Sequence, residues 1–343
     1  MPVPRSVPAA VAAWRAAAAA CLLSALSACA EAGAGVGRVT TPGQRQAPDD
    51  SDLWNLVPAG AEVVADVDLR TLRSSPWSSA LMTGDFGGER DARKRMFGFD
   101  VFTEADRMLA VGIETAGASR ALTIARGTFS ADVIGTAFTT ATPGAVAGQW
   151  RQSPLWEGQS GGMPRAVALV TPRTLAQGDP ETVRAAIDAA WGVVPDARTG
   201  ELGELRRGLG AEPSQGAVVI ALTVGEGMRS RAAGFLELPP ALRRAAGRLD
   251  LGQDLSVDAV AVFDDPRAAS AAAAIWADAV RQIARQRIVQ FLGFGPILEG
   301  LGFRGQGQRV LGQLRIPASK RELLADKLVA VLQMLAAARG SAP

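Results

Sequence analysis

Read from its hydrophobic pattern, the chain past residue 50 alternates short strand signals with amphipathic helices. Val63, Ala65, Val67 and Leu69 alternate onto one face of a strand that follows Pro58 and Gly60. Ser75 and Pro76 have the residue types of an N-cap and first helical position. Strands are expected near 107–114 and 120–127 around an Ala116-Gly117-Ala118 turn. A helix near 130–141 and strands near 146–152, 165–171 and 173–177 follow. Asp179-Pro180 then opens a helix to about Trp191.

Residues 192–214 are rich in Gly, Pro and charge, with a short helix expected at 202–208, and a boundary is placed near residue 200. A strand at 216–224 leads into helical segments up to Ala246, then strands near 247–252 and 255–263. Asp265-Pro266 starts a long helix to about Phe291, and further strands are expected between 301 and 316. Ser319 and Glu322 have capping-box spacing for a last helix to about Arg339, with Leu324, Leu328, Val331 and Leu335 on one stripe. Strand pairs mixed with helices predict an α+β fold of antiparallel sheets with helices packed on one face. The order of elements predicts two similar halves, 51–200 and 201–343.

The first 50 residues follow another pattern. Arg5 and Arg15 flank the start, and Ala16–Ala28 form an apolar run of 13 residues. That is too short to span a bilayer, which takes about 20 residues, but suits the core of a signal peptide over 1–28. The run ends Leu26-Ser27-Ala28-Cys29, which resembles the bacterial lipobox. The resemblance implies cleavage after Ala28 and a lipid-modified Cys29, and Ala30 in place of Asp implies sorting to the outer membrane, facing the periplasm. Several acyl chains would make that anchor stable, as one alone would not. Residues 29–50 read as a flexible tether; 30–50, rich in Gly, Pro, Thr and Gln, have a reach of about 25 Å.

Composition narrows the chemistry. The chain has no His and no Tyr, and its two cysteines are Cys21 and Cys29. Past residue 29 there is thus no imidazole, phenol or thiol for Ser-His-Asp, Cys-His or soft-metal chemistry. No cofactor is expected. Arg5 and Arg15 account for the excess of 36 basic over 34 acidic residues, so the body is balanced and nucleic acid is not an expected partner. The membrane, reached through the anchor, is.

Leu56-Val57-Pro58-Ala59-Gly60-Ala61 running into Val-Val-Ala-Asp-Val-Asp-Leu, and Ala176–Asp188, resemble segments of exported bacterial proteins of unknown function common in myxobacteria. That resemblance implies a secreted α+β repeat body over 53–340, and no activity.

Few residues stand out as sites. Asp66 and Asp68 share a strand face, where a carboxylate pair could hold Ca²⁺ or run acid–base chemistry. The structural expectation is a polar face in water, with Asp68 capping the next helix. Asp179 and Asp265 are expected as caps. Ser319-Lys320 lacks the setting for a Ser-Lys hydrolase, and Gly293-Phe294-Gly295 lacks dinucleotide spacing. Residues 288–303 hold Phe291, Phe294, Ile297, Leu298 and Leu301, expected as core or as an apolar contact surface. The sequence therefore points to a non-enzymatic envelope lipoprotein acting as a structural or interaction module. An apolar-ligand carrier and a carboxylate-dependent hydrolase stay open as alternatives.

Overall fold

The computed structural model describes residues 47–77, 94, 99–115, 118–209, 216–232, 238–291 and 293–322. Its centre is one antiparallel sheet. The strands are β1 (Ala61–Asp68), β2 (Ala105–Thr115), β3 (Ala118–Gly127), β4 (Val146–Trp150), β5 (Ser153–Ser160) and β6 (Met163–Thr171). They continue as β7 (Thr174–Gly178), β8 (Val218–Thr223), β9 (Leu242–Leu251), β10 (Leu255–Phe263), β11 (Gly302–Gln306) and β12 (Arg309–Ile316). Their spatial order is β11-β12-β10-β9-β8-β1-β2-β3-β7-β6-β5-β4. The α+β class and antiparallel pairing agree with the sequence pattern. The expectation of separate sheets in two similar halves does not hold. One sheet runs through, with β1 bonded to β2 on one side and to β8 on the other.

The helices are α1 (Leu69–Ser74), α2 (Val101–Glu104), α3 (Ala131–Ala141), α4 (Pro180–Ala190), α5 (Glu201–Gly208) and α6 (Glu226–Ala232). The long α7 (Pro266–Ala284) and the short α8 (Arg287–Phe291) and α9 (Gly295–Leu298) follow. They cover both faces of the sheet, not one as expected. Residues opposite each other in the ladder share a face, so register assigns the sides. Val64, Leu109, Ile124, Ala176 and Ala168 point to a face covered by α4, α5 and the 3-10 turn Leu53–Leu56. Met108, Ala125, Leu175 and Leu169 point the other way, under Phe138 and Ile134 of α3. Ala245, Ala261 and Val310 continue that second face beneath α7. β6 lies between the two layers, and Ala166–Val170 are buried without a break. The unbroken apolar run Ala-Val-Ala-Leu-Val is the sequence trace of that double cover.

The local signals explain most boundaries. Asp179 accepts from Thr182 N at 3.1 Å, and Asp265 from Ala268 N at 2.9 Å, with Pro next in each case. Both are the caps the sequence predicts. Two segments differ. β5 falls in a stretch to which the sequence pattern assigns no element, yet Leu155 is buried and the strand pairs with both neighbours. Residues 242–246 read as helical for their alanines but belong to β9, where pairing with β8 and β10 overrides propensity. The helices expected after Pro76 and over 323–339 lie outside the described residues. Ser75 itself closes α1, donating to Leu251 O at 2.9 Å and accepting from Trp77 N at 3.1 Å.

Both tight hairpins around β5 use left-handed backbone. The β5–β6 turn has Gly161 and Gly162 at φ 61° and 78°, which glycine adopts freely. The β4–β5 turn instead has Arg151 and Gln152 at φ 46° and 68°. Arg151 is tied to Asp188 of α4, and Trp150 Nε1 donates to the same carboxylate at 3.0 Å. Among the described residues Gln152 has no such tie to preserve. Gln152→Gly should remove about 1–2 kcal/mol of left-handed strain against about 0.4–1 kcal/mol of added unfolded-state freedom. The urea midpoint should rise slightly; a fall would contradict this account of the turn.

At the β9–β10 turn, Asp254 accepts from Arg315 Nε at 2.8 Å and Ala318 N at 3.0 Å. The Arg315 hydrogen bond first, and then the Ala318 amide, hold its carboxyl below the ordinary carboxylate range. A carboxyl depressed in the folded state stabilises above its unfolded pKa, about 3.9, and loses that contribution as pH falls through the folded value. Asp254→Asn should therefore flatten the fall of Tm in acid below about pH 4, as thermal melts across that range would register.

Candidate functional site

The sequence singles out Asp66 and Asp68, and the structure separates their roles. Asp68 ends β1 and caps α1, accepting from Thr71 N at 2.8 Å, as expected. Asp66 does not face water. Its side chain is 1% exposed, because the turn Leu53–Leu56 and α5 cover this part of the sheet. Arg107 of β2 meets it with both arms, Nε to Oδ1 at 2.6 Å and Nη2 to Oδ2 at 2.7 Å. Trp54 Nε1 adds a third hydrogen bond to Oδ2 at 2.7 Å. A buried carboxylate left alone would cost several kcal/mol, and a bidentate guanidinium is the geometry that offsets this. Burial by itself would lower the Arg107 pKa, but the hydrogen bonds and charge of Asp66 outweigh it and hold it above its ordinary value.

Around this pair the first described segment is fastened to the sheet. Arg206 of α5 donates to Asp52 at 2.6 Å and stacks its guanidinium 4.7 Å from the Trp54 ring centroid. Asp50 accepts from the hydroxyls of Thr171 and Thr174 at 2.7 and 2.6 Å, across the β6–β7 turn. Asp49 N donates to Ala190 O at the end of α4, at 3.0 Å. Arg126 stands beside Arg107 in the ladder. Burial pushes its pKa down, Asp50 opposes this, and Arg107 and Arg173 press it lower. The sequence missed this cluster since its members are 12 to 154 positions apart.

Two adjoining grooves lie at the other end of the same face. One, of about 220 Å³, runs between Glu204 and Leu205 of α5 and Val260, Val262, Gln306 and Arg309. The second, of about 490 Å³ and more open, is bordered by Glu62, Glu201, Arg243, Asp264 and Gln308. Arg244 lines both and lies 3.4 Å from Glu204. Their walls mix charges of both signs over a small apolar floor.

The apolar stretch 288–303 is folded into the second half of the sheet. Val289 is buried, Ile297 packs on the cluster of Trp77, Ala217, Leu251 and Ile316, and Phe303 lies edge-on to Trp276. Phe294, Leu298 and Leu301 are half-buried. Phe291 ends α8, and nothing further is assigned to its side chain. Leu26, Ser27, Ala28 and Cys29 lie outside the described residues. Among the described residues no helix is long and apolar enough to cross a membrane, and no cluster of acids is arranged to hold a metal ion.

No family model matches the chain, and no curated protein matches it. The structure is distantly similar to the treponemal protein TP0453. Crystal form IV of that protein superposes with a TM-score of 0.49 at 10% identity, over 83% of this chain and 97% of the other. Crystal form I gives 0.45 at 11% identity, over 81% and 97%.

The Asp66 cluster makes a stability prediction. Arg107→Ala strands a buried carboxylate and should cost about 3–5 kcal/mol, against about 1 kcal/mol for Asp68→Ala, which removes a cap. Urea unfolding of both variants measures the difference, and equal costs would refute the assignment of Asp66 as the buried partner.

Proposed function

We propose that this protein is a non-enzymatic lipoprotein of the cell envelope, anchored through Cys29, whose folded body is an interaction module. The observation that carries the non-enzymatic part is the state of Asp66 and Asp68. In a body without His, Tyr or Cys beyond the anchor, they are the sequence's best candidates for carboxylate chemistry. Asp66 has both oxygens engaged by Arg107 and Trp54, and Asp68 is a helix cap. A general base must reach a proton of its substrate; Asp66 is buried beneath its partners, and Asp68 gives one oxygen to the cap of α1. Asp179 and Asp265 are likewise committed as caps.

The anchor rests on the lipobox resemblance of Leu26-Ser27-Ala28-Cys29 and the apolar run before it. With Ala30 after the cysteine, the outer membrane, facing the periplasm, is the proposed site. An apolar-ligand carrier has less support. The two grooves mix charged and polar residues with a few apolar ones, and Ile297 and Phe303 of the apolar stretch are spent on packing.

Metabolic palmitate labelling of the wild type and Cys29→Ala in the native host tests the anchor. Wild-type protein should carry label and sediment with membranes; the variant should lose the label. A variant that stays labelled would overturn the assignment of Cys29.

A further inference from the structure

The turn that grips the start of the body also carries an exposed cation. Thr171 and Thr174 hold Asp50, and between them stands Arg173, with 62% of its side chain in solvent. Arg173 reaches Asp106 at 3.1 Å. Asp106 lies where the β2–β3 register shifts, between Ala105 and Arg107. Such an irregularity releases a side chain from the regular alternation of the strand. The same carboxylate receives Arg70 of α1 at 3.0 Å, 71% exposed, and Arg73 at 3.8 Å. Three guanidiniums thus converge on one carboxylate at the rim of the sheet. Arg126, whose buried Nη2 makes no hydrogen bond among the described residues, stands opposite Thr174, the residue after Arg173.

We propose that the rim carrying Arg70 and Arg173 is the surface that the tethered body lays against an anionic phospholipid bilayer. The inference rests on the lipid-anchor reading above and adds an orientation to it. Two observations carry it. Exposed guanidiniums are attracted to an anionic bilayer, by roughly fivefold in partitioning per residue. The chain outside the structure also enters it at this rim: Asp49 and Asp50 are bonded to the end of α4 and the β6–β7 turn. A tether of about 25 Å reach therefore keeps these arginines nearest the bilayer that holds the anchor. The effect acts over a Debye length of about 10 Å at 0.1 M salt, so it needs this proximity.

The test uses the acylated full chain reconstituted in vesicles. The mature protein has no thiol besides the acylated Cys29, so a fluorophore can be placed on Thr128→Cys, next to Gly127, whose carbonyl accepts from Arg173. A control carries Ile275→Cys on α7, where the native side chain is 65% exposed. Energy transfer to a lipid-borne acceptor is compared on phosphatidylcholine vesicles and on vesicles with 30% phosphatidylglycerol. The Thr128 site should move closer on anionic vesicles, and 0.5 M salt should reverse the shift. R70E changes an exposed side chain and should lower the docked fraction by at least about fivefold; D106N, which removes the shared carboxylate, should raise it. Equal transfer on both vesicles, or approach of the Ile275 site instead, overturns the proposal while leaving the anchor intact. A chain that carries no palmitate and stays out of the vesicles overturns the anchor reading, and this orientation with it.

Discussion

A carboxylate buried at the central strand sets terms for much of the structure around it. Asp66 stands on β1, which bonds to β2 on one side and to β8 on the other. Every strand from the first 200 residues lies on the β1 side of that seam, and every later strand on the β8 side. A lone charge there would be intolerable, so the position requires Arg107 from β2 and, above it, Trp54 from the opening turn. Through Trp54 the requirement extends to Arg206 of α5, which stacks on the indole and binds Asp52. One ion pair thereby ties together the opening segment, strands β1 and β2 and a helix from beyond residue 200.

What the sequence reveals of this follows from range. Caps and the presence of a strand are local, and Asp68, Asp179, Asp265 and the strand at 61–68 are read from neighbouring residues, though Leu69 begins α1 and the face of Asp66 is buried. The burial of Asp66 is not local. Its cover comes from Trp54, 12 positions upstream, and its counter-charge from Arg107, 41 positions downstream. An alternating strand looks half-solvated when nothing nearby announces the layer above it. The second layer of helices escaped for the same reason, although the unbroken run in β6 carried the sign of it. β5 and the start of β9 differ in another way: Pro154 and Gly158 weaken the strand signal so that no element is expected there, and alanines at 245 and 246 imitate a helix, until pairing decides. The lipobox is local too, but its residues lie outside the part of the chain that the structure describes.

Composition explains why arginine is so prominent. Without His or Tyr, and with two of three lysines beyond residue 319, the body relies on guanidinium and carboxylate to satisfy buried polarity. Arginine suits this, since its fork matches a carboxylate and its charge persists under burial. Arg107 clamps Asp66, Arg120 pairs with Asp179 at 3.4 Å, and Arg248 joins Asp258 at 3.1 Å and Asp250 at 2.8 Å. In these pairs the carboxylate oxygens that meet arginine are spent on structure.

The same economy bears on how the body would resist a pull through the anchor proposed above. A pull from the membrane on the chain before Ala47 would first load Asp49 and Asp50, whose partners are the end of α4 and the β6–β7 turn. Behind them lie Asp52 with Arg206, then the buried turn with Trp54 on Asp66. These contacts are distributed over α4, the β6–β7 turn, α5 and β1, so no single element bears the load. The innermost is a buried charge whose exposure is costly. The attachment is therefore graded, with part-buried hydrogen bonds outermost and the ion pair of the buried Asp66 last. Held through the anchor proposed above, a body fastened this way would not fray from its first strand.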